Sequence, residues 1–344
     1  MTLASAIHSG DVDLLPGKRD EDWRWTDLRG LIRVLPPSSP AVDIDLPPSP
    51  FGITADAELA FVNGRARAAA SYTAAGGKAV LALRFVSATP AGAHAAEASI
   101  LVPTGAHLTV LESYEGLAED YLTAVRLDFT VQEGASLERI ILVDDDAEAV
   151  SVSDASVDLA RGASFGQTVV TGGARRQRVE TRLRHPGGHA SARLDGAYIL
   201  SGKRHADLTT VVDHQGLDGT TDQLTKGVAG DQSRAVFQGR IVVAKGADRT
   251  DARMGHHALI LSDRAEVDAK PELEIYADDV SCAHGATVGA LDDEALFYAA
   301  QRGIPEPAGR AMLTAAFIGE VIDRIGHEAA REAIRTWAAE RLEG

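Results

Sequence analysis

One pair of side chains stands out for its chemistry: Cys282 and His284, separated by a single alanine. Two residues apart on an extended strand, they project to the same side of the backbone. A thiolate and an imidazole can together ligate iron, copper or zinc, or they can act as a reactive thiol with a neighbouring base. Two ligands fall short of the usual four, so a metal here needs help from another chain or an exogenous ligand. A structural cysteine that happens to lie beside a histidine is the alternative interpretation.

Other short motifs carry weaker signals. His256 and His257 are adjacent, so on a strand they point to opposite faces and cannot easily share one metal. Residues 162–166, Gly-Ala-Ser-Phe-Gly, fit the Gly-x-Ser-x-Gly nucleophile pattern, but a strand-like run follows where that chemistry needs a helix. We therefore predict that Ser164 belongs to a turn. The zinc-protease pattern that begins at His327 lacks its second histidine.

Charge and composition exclude several classes of protein. The 344 residues contain 34 Lys and Arg against 50 Asp and Glu, a net charge of −16, which disfavours binding to nucleic acid or to an anionic membrane surface. The single cysteine excludes an internal disulfide framework. The N-terminus lacks the features of a signal peptide and no apolar run is long enough to span a bilayer, so a cytoplasmic protein is expected. Residues 161–240 are locally basic, either to face an acidic partner or because their charges are paired within the fold.

The elements that position these residues are β-like in the centre and helical at the ends. From about 51 to 285, short Val, Ile, Leu and Thr runs are separated by glycines. A Gly-Ala turn recurs beside such runs at spacings of 29, 28 and three times 28 residues, at Gly105, Gly134, Gly162 and Gly246. A sheet wound into coils, as in a parallel β-helix, explains this period, and a large antiparallel sandwich or jelly roll explains it equally well.

The flanks divide the chain into three parts. Residues 1–50 combine a charged, Trp-containing segment at helical spacing with a proline-rich stretch that acts as a linker or an extended wrap. Residues 51–289 form the β core. Residues 290–344 are helical: Asp292 caps a first helix, a second carries an apolar stripe, and a third covers roughly 328–342. The stripe is formed by Leu313, Phe317 and Val321.

A longer stretch around the Cys-x-His pair is recognisable. Residues 265–289, which end in Cys-Ala-His-Gly-Ala-Thr-Val-Gly, together with Leu-Asp-Asp-Glu-Ala-Leu-Phe-Tyr at 291–298, resemble the SufD-type subunits of the Suf iron–sulfur cluster assembly system, in the SufB/SufD family. Residues 21–28 are similar to that family's entry segment, and the strong match covers about 214–325. The resemblance implies a mainly β fold, a right-handed parallel β-helix core with N-terminal and C-terminal helical segments.

The resemblance also implies a function. SufD-type chains are assembly scaffolds rather than enzymes. They pair with a SufB-type subunit and carry a SufC-type ATPase on their C-terminal helices, where Leu313, Phe317 and Val321 would be docking or core positions. A transient iron–sulfur cluster would assemble between the subunits, with His284 at the family's functional histidine and Cys282 at its accompanying cysteine, both shared metal ligands. Downstream carriers or apoproteins would receive the cluster, and the absent phosphate loop places ATP hydrolysis in the partner.

Several alternatives stay open at this point. A stand-alone β-helix enzyme acting on polysaccharide would use charged residues along one face, and a purely structural heterodimer partner would tolerate loss of Cys282 and His284. The sequence also leaves open whether a flavin joins the complex and whether the isolated chain forms a homodimer. Residues 253–259 depart from the family's amide-rich pattern, which leaves the roles of His256 and His257 undecided.

Overall fold

A computed structural model describes residues 3–343, which form a strand-rich centre between helical ends. The helices are α1 (Leu3–Ser9), α2 (Asp293–Gln301), α3 (Glu306–Ile322) and α4 (Glu328–Glu343), with short 3₁₀ turns at Val12–Leu14 and Glu21–Trp23. The strands are β1 (Ala57–Val62), β2 (Arg65–Ala66), β3 (Ser71–Thr73), β4 (Lys78–Ser87), β5 (Ala93–Val102), β6 (His107–Gly116), β7 (Leu122–Val131), β8 (Ser136–Asp144), β9 (Val150–Leu159), β10 (Ser164–Thr171), β11 (Arg176–His185), β12 (Ser191–Leu200), β13 (His205–His214), β14 (Thr220–Ala229), β15 (Arg234–Val243), β16 (Thr250–Ile260), β17 (Glu266–Ile275) and β18 (Val280–Gly289).

The strands wind into a parallel β-solenoid. Sheet I has the order β18-β16-β14-β12-β10-β8-β6-β4-β1-β2, and sheet II has the order β17-β15-β13-β11-β9-β7-β5-β3. From β3 onward each strand pairs in parallel with the strand two places further along the chain, so every coil adds one strand to each sheet. Ser136 pairs with Ser164, 28 residues later. The predicted period is therefore one coil, and the parallel alternative is confirmed over the antiparallel sandwich.

The turns between coils explain the glycine pattern. All four glycines of the predicted repeat have positive φ angles, between 63° and 83°, a region that an L side chain rarely adopts. In the coil that turns at Gly219 the left-handed position is taken by its neighbour Asp218, with φ 59°, because Asp tolerates this conformation better than most residues do. Ser164 differs from the prediction: it does not lie in the turn but is the first residue of β10, two residues after the turn glycine, and the predicted strand follows it.

Three apolar layers hold the fold together. Inward-facing residues of both sheets, such as Leu137 and Phe237, fill the solenoid from coil to coil. The outer face of sheet I is covered by α3 and α4, whose Ile318 packs in one cluster with Ile140. The outer face of sheet II, around β5 to β9, is covered by α1 and the segment that follows it, with Leu3 in the shared cluster.

The N-terminal part differs from the prediction in one respect. The helical spacing within residues 19–28 corresponds only to a single 3₁₀ turn, and the helix lies earlier, at α1. The segment is nevertheless anchored, because the Arg178 guanidinium lies 4.4 Å from the centre of the Trp23 ring. The proline-rich stretch is an extended wrap: the Pro40 carbonyl accepts a hydrogen bond from Asn63, in the turn between β1 and β2, and the Pro47 carbonyl accepts one from Arg84 of β4.

The C-terminal helices follow the predicted pattern. Asp292 caps α2, accepting hydrogen bonds from the backbone N–H groups of Glu294 and Ala295. Pro305 precedes the first turn of α3, where its missing N–H costs nothing. Among residues 3–343, no helix combines the length and the apolar character that crossing a membrane would require.

Candidate functional site

The last coil of the solenoid leaves two strand edges open. Within the described residues β18 pairs only with β16, and β17 ends sheet II in the same way. The two edges differ in chemistry. β17 carries Pro271 and five charged side chains, the devices that protect an edge from pairing with other chains, whereas β18 contains neither proline nor Asp, Glu, Lys or Arg. The edge of β18 is therefore open to pairing with another strand.

Cys282 and His284 lie on this unprotected strand and on one face of it. Cys282 pairs with the buried Ala252 and packs, half-buried, against the solenoid interior. His284 pairs with the buried Met254, so it stands at the next inward-facing position. Because no further coil covers it, His284 is exposed. The structure thus brings the two side chains together at the mouth of the solenoid.

The thiol of Cys282 is not preformed as a thiolate. Burial raises its pKa, and the nearby Asp251 carboxylate acts in the same direction, while a backbone hydrogen bond at Ala252 opposes both. The sulfur therefore keeps its proton near neutral pH until a cation approaches. Within residues 3–343, neither side chain belongs to a group of three or more His, Cys, Asp or Glu that could hold a metal.

His256 and His257 are separated as their adjacency predicts. His256 is buried, its ring lies parallel to that of Phe237 at 4.7 Å, and its Nε2 is 3.1 Å from the Tyr198 hydroxyl. Burial lowers the pKa of His256 to about 4, so its ring is neutral near pH 7. His257 faces the other way, and its Nδ1 lies 2.7 Å from the Thr287 hydroxyl of β18. His256 therefore belongs to the interior of the solenoid, and the contact of His257 with Thr287 links β16 to the last strand.

Comparison with known proteins identifies the family. A family model described as "SUF system FeS cluster assembly, SufBD core domain" matches residues 85–317, which include the Cys-x-His strand and most of the solenoid. The chain belongs to the SufBD family. The resemblance to SufD-type chains is confirmed by a relative from Escherichia coli, "Iron-sulfur cluster assembly protein SufD", which is 34% identical over 243 residues, 70% of this chain and 57% of that protein.

Two other relatives of this SufBD chain are more distant. A SufBD family protein of Synechocystis is 26% identical over 66% of this chain and 52% of its own length. The chloroplastic protein ABCI7 of Arabidopsis thaliana is 29% identical over 69% of this chain and 50% of its own length. The chain thus spans about half the length of the curated relatives that it matches.

The C-terminal helices of this SufBD chain contain a second surface. Val321, from the predicted apolar stripe, is fully buried against sheet I, and Leu313 and Phe317 are half-buried. The Phe317 ring lies 4.5 Å from the ammonium of Lys226. The stripe therefore faces mainly the chain's own core. The exposed apolar side chains were missed by the sequence reasoning and lie on α2 and the outer side of α3: Phe297 (66% exposed), Tyr298 (58%) and Met312 (58%).

The basic segment is explained by pairing within the fold. The guanidinium of Arg178 is fully buried between Glu180 and Asp207, at 2.7 and 2.9 Å. Arg182 forms an ion pair with Glu180, and Arg184 lies 3.0 Å from Asp158 on the preceding coil. These cations are matched by carboxylates on neighbouring strands. The paired-charge interpretation is confirmed for these three arginines, whereas Arg176 in the same segment has a buried Nε without a hydrogen-bond partner.

Proposed function

We propose that the chain is a scaffold subunit for iron–sulfur cluster assembly, and that a nascent cluster forms where the open end of the solenoid meets a SufB-type subunit. The observation that carries this proposal is β18: an edge strand without protecting charges, with a thiol and an imidazole side by side at the mouth of the solenoid. Membership in the family supports an iron–sulfur cluster as the group that is assembled, because the matching family model is described as one for iron–sulfur cluster assembly.

The donor set suits a shared site. Cysteine thiolate and histidine are both ligands of iron–sulfur clusters, and two donors from this chain leave other positions for residues of a partner. The raised pKa of Cys282 adds a condition, because the thiol must lose its proton when iron arrives. Cluster formation at this site is therefore expected to release a proton and to weaken at low pH.

The partner is proposed to add to the edge of β18. Addition of a strand to an open sheet edge satisfies the unpaired backbone groups and places side chains of the second chain beside Cys282 and His284. Exposed apolar residues at the same end, Tyr276 and Val288, would be covered in the process. The same edge would allow a homodimer when the SufB-type partner is missing.

The SufC-type ATPase is proposed to bind the exposed surface of α2 and α3. α2 has no buried residue, and its Phe297 and the nearby Met312 of α3 are more than half exposed. Half-buried Leu313 and Phe317 border this surface, whereas Val321 contributes to the core beneath it. ATP hydrolysis belongs to that partner, and the finished cluster passes to carriers or apoproteins. The single cysteine, a free thiol, fits work in the reducing cytoplasm.

Substitution at the open end tests the cluster site. In the complex purified without oxygen, His284→Ala is expected to lower bound iron and sulfide several-fold without lowering the melting temperature, because the side chain is exposed. Cys282→Ala is expected to have a milder effect, since a partner thiolate would dominate the ligand set. His107→Ala, an exposed histidine on β6, is the matched control. Wild-type cluster content in the His284 variant would contradict the proposal. Acid release of bound chromophores from the same preparation shows whether a flavin is present.

Substitution on α2 tests the ATPase surface separately. Phe297→Asp is expected to reduce recovery of the ATPase with this chain at least tenfold, because it places a charge in an apolar contact. Leu117→Asp changes a similarly exposed leucine (50% exposed) in the solenoid and is expected to leave recovery unchanged. Equal recovery of the ATPase with both variants would show that α2 is not part of the interface with the ATPase.

A further inference from the structure

A segment near the start of the chain is bound to the last coil of the solenoid. Residues 21–26, called here the clamp segment, cross the outer face of sheet II and contact a strand from each of four successive coils, β11, β13, β15 and β17. At one end the Glu21 carboxylate accepts a hydrogen bond of 2.8 Å from the ammonium of Lys270, which lies 249 residues further along the chain. Lys270 belongs to β17, the strand that ends sheet II.

Buried groups anchor the middle of the clamp segment. The Thr26 hydroxyl donates a hydrogen bond to the fully buried carboxylate of Asp207, and the Arg178 guanidinium donates one to the Asp22 carbonyl. The Trp23 ring lies on the same guanidinium, at 4.4 Å. These partners belong to β11 and β13, whose coils have neighbouring coils on both sides. The anchor is therefore attached to the middle of the solenoid.

Two carboxylates extend from this anchor toward the open end. Asp22 lies 3.1 Å from the Arg240 guanidinium of β15, and Glu21 forms an ion pair with Lys270 of β17. Glu272 of β17 joins the two cations, at 3.2 Å from Arg240 and 3.3 Å from Lys270. Alternating charges thus connect the last two strands of sheet II to the anchor.

The last coil is a coil that needs additional contacts. In a solenoid each coil is stabilised by its neighbours, and within the described residues the coil of β17 and β18 has a neighbour on one side only. Local opening costs the least free energy at such an end. The clamp segment is bound to β11 and to β17 at once, so it stabilises the last coil without depending on the coils between them.

We propose that the clamp segment holds the last coil against the solenoid and thereby positions Cys282 and His284. The positioning role rests on the proposed function, whereas the clamp itself does not. β17 and β18 are consecutive strands that contact each other, and Leu273 of β17 and Cys282 of β18 pack against the same apolar core. Opening of β17 would therefore move the wall beside the Cys282 side chain.

Hydrogen exchange of the purified 344-residue chain, measured by mass spectrometry on each strand, tests the clamp. Glu21→Gln is expected to speed exchange in β17 and β18 by about two- to fivefold, the effect of losing one exposed ion pair, and to leave β5 to β9 unchanged. Asp13→Asn is the matched control. Both carboxylate side chains are 77% exposed and paired with a cation, but the partner of Asp13 is Arg29, within the N-terminal segment itself. The control is expected to keep wild-type exchange in β17 and β18.

A double-mutant cycle distinguishes a direct contact from general loosening of the fold. Lys270→Met removes the partner of Glu21, so adding Glu21→Gln to it is expected to cause no further increase in exchange. Trp23→Ala removes the ring from the anchor and is expected to speed exchange in the same two strands at least as much as Glu21→Gln does. Trp337→Ala, which removes another half-buried ring that lies on a guanidinium, that of Arg341 at 4.8 Å, is expected to leave both strands unchanged.

Wild-type exchange of β17 and β18 in the Glu21→Gln chain would overturn the clamp, and so would an undiminished effect of Glu21→Gln in the Lys270→Met chain. The positioning role has its own measurement. In the complex purified without oxygen, Trp23→Ala is expected to lose bound iron and sulfide and Trp337→Ala is expected to retain them. Loss of the cluster in His284→Ala together with wild-type cluster content in Trp23→Ala would refute the positioning role and leave the cluster site in place.

Discussion

His256 tests how burial in the solenoid interior changes the pKa of a histidine and, through it, the stability of the fold. Its ring is 0% exposed, lies parallel to Phe237 and has its Nε2 beside the Tyr198 hydroxyl. Burial lowers its pKa from the ordinary 6.5 to about 4. The perturbation is His256→Phe, which keeps an aromatic ring against Phe237 and removes the titration.

The sign of the effect follows from proton linkage. Well above pH 6.5 the ring is neutral in both the folded and the unfolded chain, so its protonation does not lower the free energy of unfolding there. Between pH 6.5 and about 4 the unfolded chain binds a proton that the folded chain refuses, so the free energy of unfolding falls as the pH falls. With these two pKa values, the loss between pH 7.5 and pH 5 is about 2 kcal/mol for this one residue.

The assay is urea unfolding followed by circular dichroism at both pH values. At pH 7.5 the variant is expected to be less stable by about 1 kcal/mol, because the Tyr198 hydroxyl loses its partner. When the pH is lowered to 5, the free energy of unfolding of the variant is expected to fall by about 2 kcal/mol less than that of the wild type. His107→Phe, at an exposed position, is expected to keep the wild-type pH dependence. Equal losses in wild type and the His256 variant would refute the reasoning.

Two other predictions concern the interior. Glu112 forms a fully buried pair with Arg139, with two hydrogen bonds of 2.7 Å. Glu112→Leu is expected to lower the free energy of unfolding by about 3–5 kcal/mol, as measured by urea unfolding. Adding Arg139→Met is expected to recover most of that loss. A loss below about 1 kcal/mol in the single variant would contradict this. A Cβ at Gly227 would lie 2.0 Å from the Tyr198 ring, so Gly227→Ala is expected to lower the free energy of unfolding by about 1–3 kcal/mol. Gly319→Ala, on α3, places its Cβ in open space and is expected to raise the free energy of unfolding by about 0.5–1 kcal/mol. Thermal unfolding in the opposite order would count against this account of packing.

The coil period could be predicted from the sequence because each coil needs a left-handed residue at one turn. Glycine supplies it at Gly105 and Gly134, where the φ angles are 68° and 63°. The period alone could not choose between a solenoid and a sandwich, because both alternate strands with glycine turns. The coil that turns at Gly219 departs from the glycine pattern, because Asp218 takes the left-handed position there.

The charge cluster shows what local sequence cannot reveal. Arg178 and Asp207 are 29 residues apart, one coil, and meet only when the strands stack in register. A count of charges along residues 161–240 includes Asp207 but cannot show that this carboxylate meets Arg178. The remaining excess of cations is met by carboxylates outside the segment, such as Asp158 beside Arg184 and Glu320 beside Lys226.

The site was predicted in part. The same-face geometry of Cys282 and His284 follows from strand periodicity, and the exposure of His284 follows from its place on the last coil, which the sequence alone does not locate. On the helices, periodicity identified an apolar stripe but not what it covers, and Val321 proved to be core. The exposure of Phe297 could not be predicted, because it depends on what α2 packs against: α2 contacts α3, and none of its residues is buried.

The central claim is that this chain acts as one half of a shared assembly site, and native mass spectrometry tests it most directly. The tagged chain would be co-expressed with the genes beside its own and purified without oxygen. The account predicts a complex that contains one copy of this chain, one related β-rich subunit and two copies of an ATPase. Recovery of a lone monomer or a homodimer, although those neighbours are expressed in soluble form, would contradict it.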